Sequence, residues 1–343
     1  MTILSLEKAR RLLCRMQDCI RDAVLAARRR DRRILSGIAA VTAADTIYQV
    51  DRVAEKAIMD WFATEWPRRW PVELVMEGLE DQPFPTTFPL GAPVKNTLFK
   101  CIIDPIDGTR LFMEDKRSAW ILTGLAPQRG TRNSLGDIVL AVMTELPASK
   151  QWRSDQLSAV RGGSLCASGQ DLRTGRRERL SLRPSQARDF KHGFSTVIRF
   201  FPDGLTLLAE FEEALWAEMH KGVKGDSPVV FNDQYISTGG QVYELIAGHD
   251  RMIADLRPLA FQRLGIPEKL VCHPYDICTA LLLEAAGGVV ETPDGKPLRE
   301  PLDTISPVSW VGYANSHLAR KIRPILRRLC RERLGNKNRE SRS

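Results

Sequence analysis

The chain has 343 residues, 43% hydrophobic and 27% charged, a balance found in folded globular proteins and not in disordered ones. No apolar run reaches the roughly 18 residues that cross a bilayer, and Met1 to Arg11 lacks the apolar core of an export signal, so a cytoplasmic protein with no membrane partner is expected. The seven cysteines are scattered without a C-x-x-C pair and the five histidines without ligand spacing, which sets aside a disulfide framework and a thiolate zinc site. Any metal is therefore expected to be hard and held by oxygen.

The net charge of +8 is unevenly placed. Residues 1–40 carry ten Lys and Arg against four Asp and Glu, and residues 320–343 carry ten against two, so the body between them is acidic. An acidic body with basic ends argues against a nucleic-acid groove through the fold. Arg28-Arg29-Arg30-Asp31-Arg32-Arg33 and Arg327-Arg328 lack interleaved aromatics and read as solvated faces.

In chain order, Leu6, Ala9, Leu13, Met16, Ile20 and Val24 form a helical stripe over residues 4–29. A second helix is predicted from Ala43 to Phe62 on Ile47, Val50, Ala54, Ile58 and Trp61. Asp51 sits at the edge of that apolar face, where a carboxylate is costly unless something binds it. Val72 to Met76 reads as a strand ending at Glu77, and the four prolines of residues 82–96 as a loop. Thr97 to Ile103 reads as a buried strand, followed by strands at Trp120–Leu125, Asp137–Met143 and Ser158–Val160. The pattern weakens over 170–192. Helices follow at Thr206–His220 and Gln241–Ala247, a strand at Arg251–Leu256, and a helix at Tyr275–Ala286 stopped by Gly287-Gly288. Alternating strands and helices without repeats predict a mixed α/β fold. The expected division is a basic N-terminal helix (1–40), an α/β subdomain carrying the metal site (41–165), a second α/β subdomain completing it (166–319) and a basic tail (320–343).

The most informative segment is Asp104-Pro105-Ile106-Asp107-Gly108-Thr109, at the end of a buried strand. Proline stiffens the turn, so that two aspartates three residues apart can converge, and glycine lets backbone approach a ligand. Clustered carboxylates without soft ligands favour Mg²⁺, which keeps exchangeable waters for a phosphate to replace. Asp276, just after Pro274, and Glu77, at its strand end, are candidates to complete the set; each alone reads as an N-cap or a solvated loop residue.

Asp104 to Thr109 resembles the D-P-[IL]-D-[GS]-T motif of the inositol monophosphatase family. Tyr275-Asp276 through Gly287-Gly288 resembles that family's C-terminal W-D, helix and Gly-Gly, and Ala141–Pro147 and Arg161–Ser164 are similar to its intervening segments. The likeness spans about residues 41–300, with divergence between 170 and 235. It implies a layered α/β sandwich and a Mg²⁺-dependent, typically lithium-inhibited phosphomonoesterase acting on a small phosphorylated metabolite. Inositol monophosphate is the default substrate; fructose 1,6-bisphosphate and 3′-phosphoadenosine 5′-phosphate are the alternatives. By position, Glu77, Asp104, Asp107, Asp276 and the Ile106 carbonyl would bind metal. Thr109 and Asp51 would orient and deprotonate the attacking water, and Gly108 and Thr109 amides, beside Asp107, would hold the phosphate. Members are commonly dimers, which implies a homodimer here.

The match departs in places. The family's Glu-Glu pair is Glu77-Gly78, with Glu80-Asp81 as a shifted alternative; Tyr275 replaces tryptophan, and Tyr48 precedes Asp51 where threonine is usual. The small-residue turn of the substrate pocket corresponds to Thr238-Gly239-Gly240. These changes leave open a non-catalytic relative that binds a phosphorylated ligand or partner. A haloacid-dehalogenase reading is rejected because its nucleophile position is Pro105.

Overall fold

The structure is a computed structural model and describes residues 3–30, 38–41, 46–79, 84–221, 229–268 and 270–335. The apolar stripe of the first helix is realised in α1 (Ile3–Arg30), where Ala9, Leu13, Met16, Ile20 and Val24 are fully buried. A polar seam runs within that buried face. The Gln17 amide donates to Thr123 Oγ1 (2.8 Å) and to the Val142 carbonyl (3.0 Å), and Thr144 Oγ1 donates back to Gln17 Oε1 (2.7 Å). A buried amide with all its partners fixes one register of helix on sheet, since any shift would strand polar groups away from water.

The expected helix start, Ala43, lies outside the described residues, and the described helix begins later. Thr46–Tyr48 forms β2, antiparallel to β1 (Ile38–Val41), and α2 covers Gln49–Thr64. The helix begins there because Tyr48 is extended (φ −103°, ψ 166°) and donates its N–H to Asp51 Oδ2 at 2.7 Å. Asp51 thus supplies the acceptor that a helix N-terminus lacks.

The larger sheet contains β3 (Val72–Met76), β4 (Thr86–Phe88), β5 (Phe99–Asp107), β6 (Ala119–Pro127), β7 (Leu140–Leu146), β8 (Arg153–Val160), β9 (Cys166–Asp171) and β10 (Arg177–Arg179). Their order is β10-β9-β8-β7-β6-β5-β3-β4. The segment 82–96, expected to be a loop, therefore contributes an edge strand, in which Thr87 and Phe88 are both buried and Phe88 joins the core. The smaller sheet has the order β12-β11-β13-β15-β14, built from β11 (Gly193–Val197), β12 (Val230–Phe231), β13 (Asp250–Asp255), β14 (Val289–Glu291) and β15 (Trp310–Tyr313).

Strand alternation sends successive side chains to opposite faces, and three cores result. Cys101, Ile103, Ile121 and Val142 pack beneath α1 and α2. Ile102, Leu122, Ala141 and Met143 face the other way, against α5 (Thr238–Ala247), α7 (Ala280–Ala285) and the inner face of the smaller sheet. The outer face of that sheet, through Val197, Met252, Ala254 and Tyr313, is covered by α4 (Leu205–Met219), α6 (Arg257–Leu264) and α8 (Ser316–Leu329). The layers run helix, sheet, helix, sheet, helix, a layered α/β sandwich as expected. No described helix is long and apolar enough to cross a membrane.

Candidate metal centre

Strand β5 continues through Asp-Pro-Ile-Asp instead of stopping at Ile103, and this continuation aims the site. Asp104 pairs with Leu122 and Asp107 with Trp120, so three steps on β5 match two on β6. In a regular strand residues three apart point to opposite faces; one extra residue brings both aspartates to the same face. Pro105 is tolerated because a bulge requires no ladder donor at that point. Asp104 Oδ1 accepts the Ile106 N–H at 3.0 Å, closing the bulge. Gly108 follows at φ 90°, in the left-handed region, and a Cβ there would come within 3.1 Å of Ser237 Cβ. The short helix α3 (Thr109–Met113) begins next.

Asp276 arrives from the other end of the chain. The expected helix Tyr275–Ala286 is shorter, Ala280–Ala285, and Asp276 stands in the turns that precede it. Its Oδ2 accepts the His273 N–H at 2.6 Å. One ligand atom from each of Asp104, Asp107 and Asp276 lies within 4.8 Å of the others. Burial, then the charges of Glu77, Asp107 and Asp276, push the Asp104 carboxyl well above the usual carboxylate range. Burial and then Asp107 do the same to Asp276. Asp107 is raised to about 6 by burial, against donors from Ser237, Gly239 and Thr238 that favour its ionised form.

Those donors clamp Asp107 across the layers. Ser237 Oγ donates to Oδ2 at 2.7 Å, Gly239 N–H to Oδ2 at 2.5 Å and Thr238 N–H to Oδ1 at 3.2 Å. Thr238-Gly239-Gly240, expected to shape a substrate pocket, forms the first turn of α5, and its Thr238 and Gly239 N–H groups hold a carboxylate. Gly239 is required there: a Cβ would meet Leu122 Cδ2 at 2.5 Å.

Glu77 lies in the turn after β3 and lines the same cleft as the three aspartates. Glu80 and Asp81, the alternative, fall outside the described residues. The Ile106 carbonyl accepts from Thr109 Oγ1 at 2.8 Å, and the same hydroxyl is 3.1 Å from Asp51 Oδ1. Every residue singled out from sequence for the site, Asp51, Glu77, Asp104, Ile106, Asp107, Gly108, Thr109 and Asp276, lines one cleft. An all-oxygen donor set of mutually repelling, desolvated carboxylates fits a hard divalent cation, which would relieve the repulsion.

Ser237, Glu55 and Arg257 are among the cleft residues not singled out from the sequence. Ser237 had a local signal, as a serine opening a helix; its Oγ accepts the Gly240 N–H at 2.9 Å. Glu55 sits one turn after Asp51 on α2, and a Cβ on Gly78 would approach its Oε1 to 2.5 Å. Arg257 is buried and grips Asp255 through Nε (2.9 Å) and Nη2 (2.5 Å). Neither Glu55 nor Arg257 stands out in the sequence: their ion-pair partners Arg52 and Asp255 are local, and only tertiary packing brings Gly78 and Phe200 beside them.

The fold is that of the inositol monophosphatase-like proteins. Among solved structures, the extragenic suppressor protein SuhB from Bartonella henselae aligns over 93% of this chain and 96% of its own, at TM-score 0.61 and 18% identity. Fructose-1,6-bisphosphatase from Leishmania major aligns over 92% of each chain at TM-score 0.62 and 13% identity. An inositol monophosphatase from Zymomonas mobilis aligns over 93% and 98% at TM-score 0.56 and 16% identity. No protein-family model and no curated protein sequence matches the chain. The likeness is therefore one of fold, at a sequence distance where chemistry must be argued from the residues themselves.

Proposed function

We propose that the chain is a Mg²⁺-dependent phosphomonoesterase acting on a small phosphorylated metabolite. The observation that carries this reading is the convergence of Asp104, Asp107 and Asp276 within 4.8 Å, in one cleft with the Asp51–Thr109 pair. The likeness in fold to SuhB, fructose-1,6-bisphosphatase and inositol monophosphatase supports it.

Glu77, Asp104, Asp107, Asp276 and the Ile106 carbonyl would hold the ion. When bound, it supplies neutralisation of phosphoryl charge and a lowered pKa for water. The protein residues do the rest. Asp107 is fixed by Ser237 and Gly239, so its ligand oxygen needs no reorganisation on binding. Asp51 Oδ1 would accept the proton of the attacking water through the Thr109 hydroxyl; Tyr48 N–H occupies the other Asp51 oxygen and fixes the carboxylate's orientation. Gly108 and Thr109 amides would receive the phosphate oxygens. No covalent phosphoenzyme is required.

The test is phosphate release from a panel of phosphomonoesters with and without Mg²⁺ and lithium, beside Asp104→Asn. Release that requires Mg²⁺, falls with lithium and is lost in the variant is expected. Activity surviving Asp104→Asn would place the chemistry elsewhere, and Mg²⁺ binding without any turnover would favour a non-catalytic binder.

A further inference from the structure

We infer that the phosphate ester carried into this cleft has an aromatic ring on its leaving-group side, seated on Phe200 and Phe201. The inference rests on the phosphomonoesterase reading above and names its substrate class.

The carboxylates account for only part of the cleft's lining; Phe200, Phe201, Ile236, Leu270 and Val271 add apolar surface to it, beside polar residues such as Arg110, His273 and Tyr275. Phe200 and Phe201 are each half-buried and meet edge to face, with centroids 4.8 Å apart and planes at 77°. Leu270 is 37% exposed beside them. A mostly apolar groove of about 390 Å³ shares Phe201 and Leu270 with the cleft, its other lining being Pro202, Phe261, Ile266, Pro267 and the single charged residue Asp203. Large apolar side chains left facing water at the mouth of a polar site are a cost unless a ligand covers them.

Arg257 builds this wall. Its guanidinium lies 4.4 Å from the Phe200 ring centroid and 5.6 Å from that of Phe201. Its Nη1 donates to the Leu270 carbonyl at 2.7 Å, while Nε and Nη2 are taken by Asp255. With its charge matched by a buried carboxylate, this arginine is a support for the aromatic pair and not an anion ligand. Displacement at phosphorus keeps attacking and leaving oxygens roughly in line. With water activated at Asp51 and Thr109, the leaving oxygen would depart toward Phe200, Phe201 and Leu270, which line the same cleft. A polyol would find few hydrogen-bond partners on that surface; a planar ring would find an edge and a face.

The experiment uses the full chain with Mg²⁺ and two readouts. Calorimetric binding compares phenylphosphonate, methylphosphonate and hexylphosphonate. Hydrolysis compares 2-naphthyl phosphate, adenosine 3′-phosphate and inositol 1-phosphate. Phenylphosphonate is expected to bind about tenfold tighter than methylphosphonate, the effect of one aromatic contact. In Phe201→Ala that ratio falls to about one, and Phe201→Leu, which preserves packing, lowers it without unfolding the chain. Preference for naphthyl over adenosine phosphate would place the ring directly on the ester oxygen; the reverse would place it one sugar away. Equal binding of phenyl- and methylphosphonate, tighter binding of hexylphosphonate, or a ratio untouched by both variants would overturn the inference while leaving the phosphatase reading intact. Failure of every phosphonate to bind and every ester to be cleaved would remove both.

Discussion

Thr109 Oγ1 stands 3.1 Å from Asp51 Oδ1, joining the end of the bulged strand to the first turn of α2 across 58 residues of sequence. The same hydroxyl is 2.8 Å from the Ile106 carbonyl, and one proton can serve only one of these acceptors at a time. Binding a cation at that carbonyl would leave Asp51 as the acceptor for the hydroxyl proton. Thr109→Val, which preserves shape, is expected to lower phosphatase kcat by about 10²-fold or more, the usual worth of a general acid–base group. Thr109→Ser should retain most of the rate. Loss in Thr109→Ser with little loss in Thr109→Val would show that the methyl group, and not the hydroxyl, matters.

Metal binding should be visible in stability before any substrate is known. Asp104, Asp107 and Asp276 repel one another in the absence of a cation. At a hundredfold excess of Mg²⁺ over Kd, linkage contributes about 2.7 kcal/mol, roughly 5 °C in Tm for a chain of this size. Asp104→Asn removes one charge, so its Tm without Mg²⁺ should exceed that of the wild type, and Mg²⁺ should no longer raise it. Thermal melts at several Mg²⁺ concentrations would decide this; a variant that still responds fully would argue against Asp104 as a ligand.

Gly239 tests the clamp on Asp107. A methyl group there would stand 2.5 Å from Leu122 Cδ2 and 3.0 Å from Asp107 Oδ2. Gly239→Ala is expected to cost about 1–3 kcal/mol by overpacking and to weaken Mg²⁺ binding together with stability. Denaturant unfolding, with and without Mg²⁺, separates the two effects.

Gly78 is constrained twice, by φ +87° and by the Glu55 carboxylate lying where a Cβ would point. Glu55 also accepts from Arg52 at 2.7 Å, which anchors it on α2. Gly78→Ala should therefore displace the turn that presents Glu77, weakening Mg²⁺ binding severalfold. Glu55→Ala in the same chain should recover part of that loss by clearing the space; no recovery would mean that the backbone conformation alone sets the constraint.

Asp250, buried at the start of β13, gives a pH signature outside the Asp104–Asp107–Asp276 cluster. Burial, then the charges of Glu244 and Asp233, raise its carboxyl to about 7, with His249 and Arg117 opposing. A raised folded-state value means that the neutral form is favoured in the fold. The resulting stability is fully present below the unfolded value of 3.8 and is lost as pH rises through about 7. Asp250→Asn should therefore raise Tm at pH 8 relative to the wild type and change it little at pH 4. A difference independent of pH would show that Asp250 is ionised in the fold.

The sequence alone carried the reading wherever the determining interactions are local. The stripe of α1, the strand before Asp104, the paired aspartates with Gly108 and Thr109, and the mixed α/β class all follow from periodicity and short-range stereochemistry. Element ends were less legible: Ala43 was read into a helix that Tyr48 and Asp51 start later, and Tyr275–Thr279 into one that begins at Ala280. What only tertiary structure decided is how distant segments meet. A one-residue bulge on β5 turns Asp104 and Asp107 to the same face, because pairing with β6 sets which way each side chain points. Ser237 and Gly239, some 130 residues further on, complete Asp107, and Arg257 with Phe200 and Phe201 builds the apolar wall. Periodicity says which face of an element is buried; which other element covers that face depends on packing between layers, and that information is spread over the whole chain.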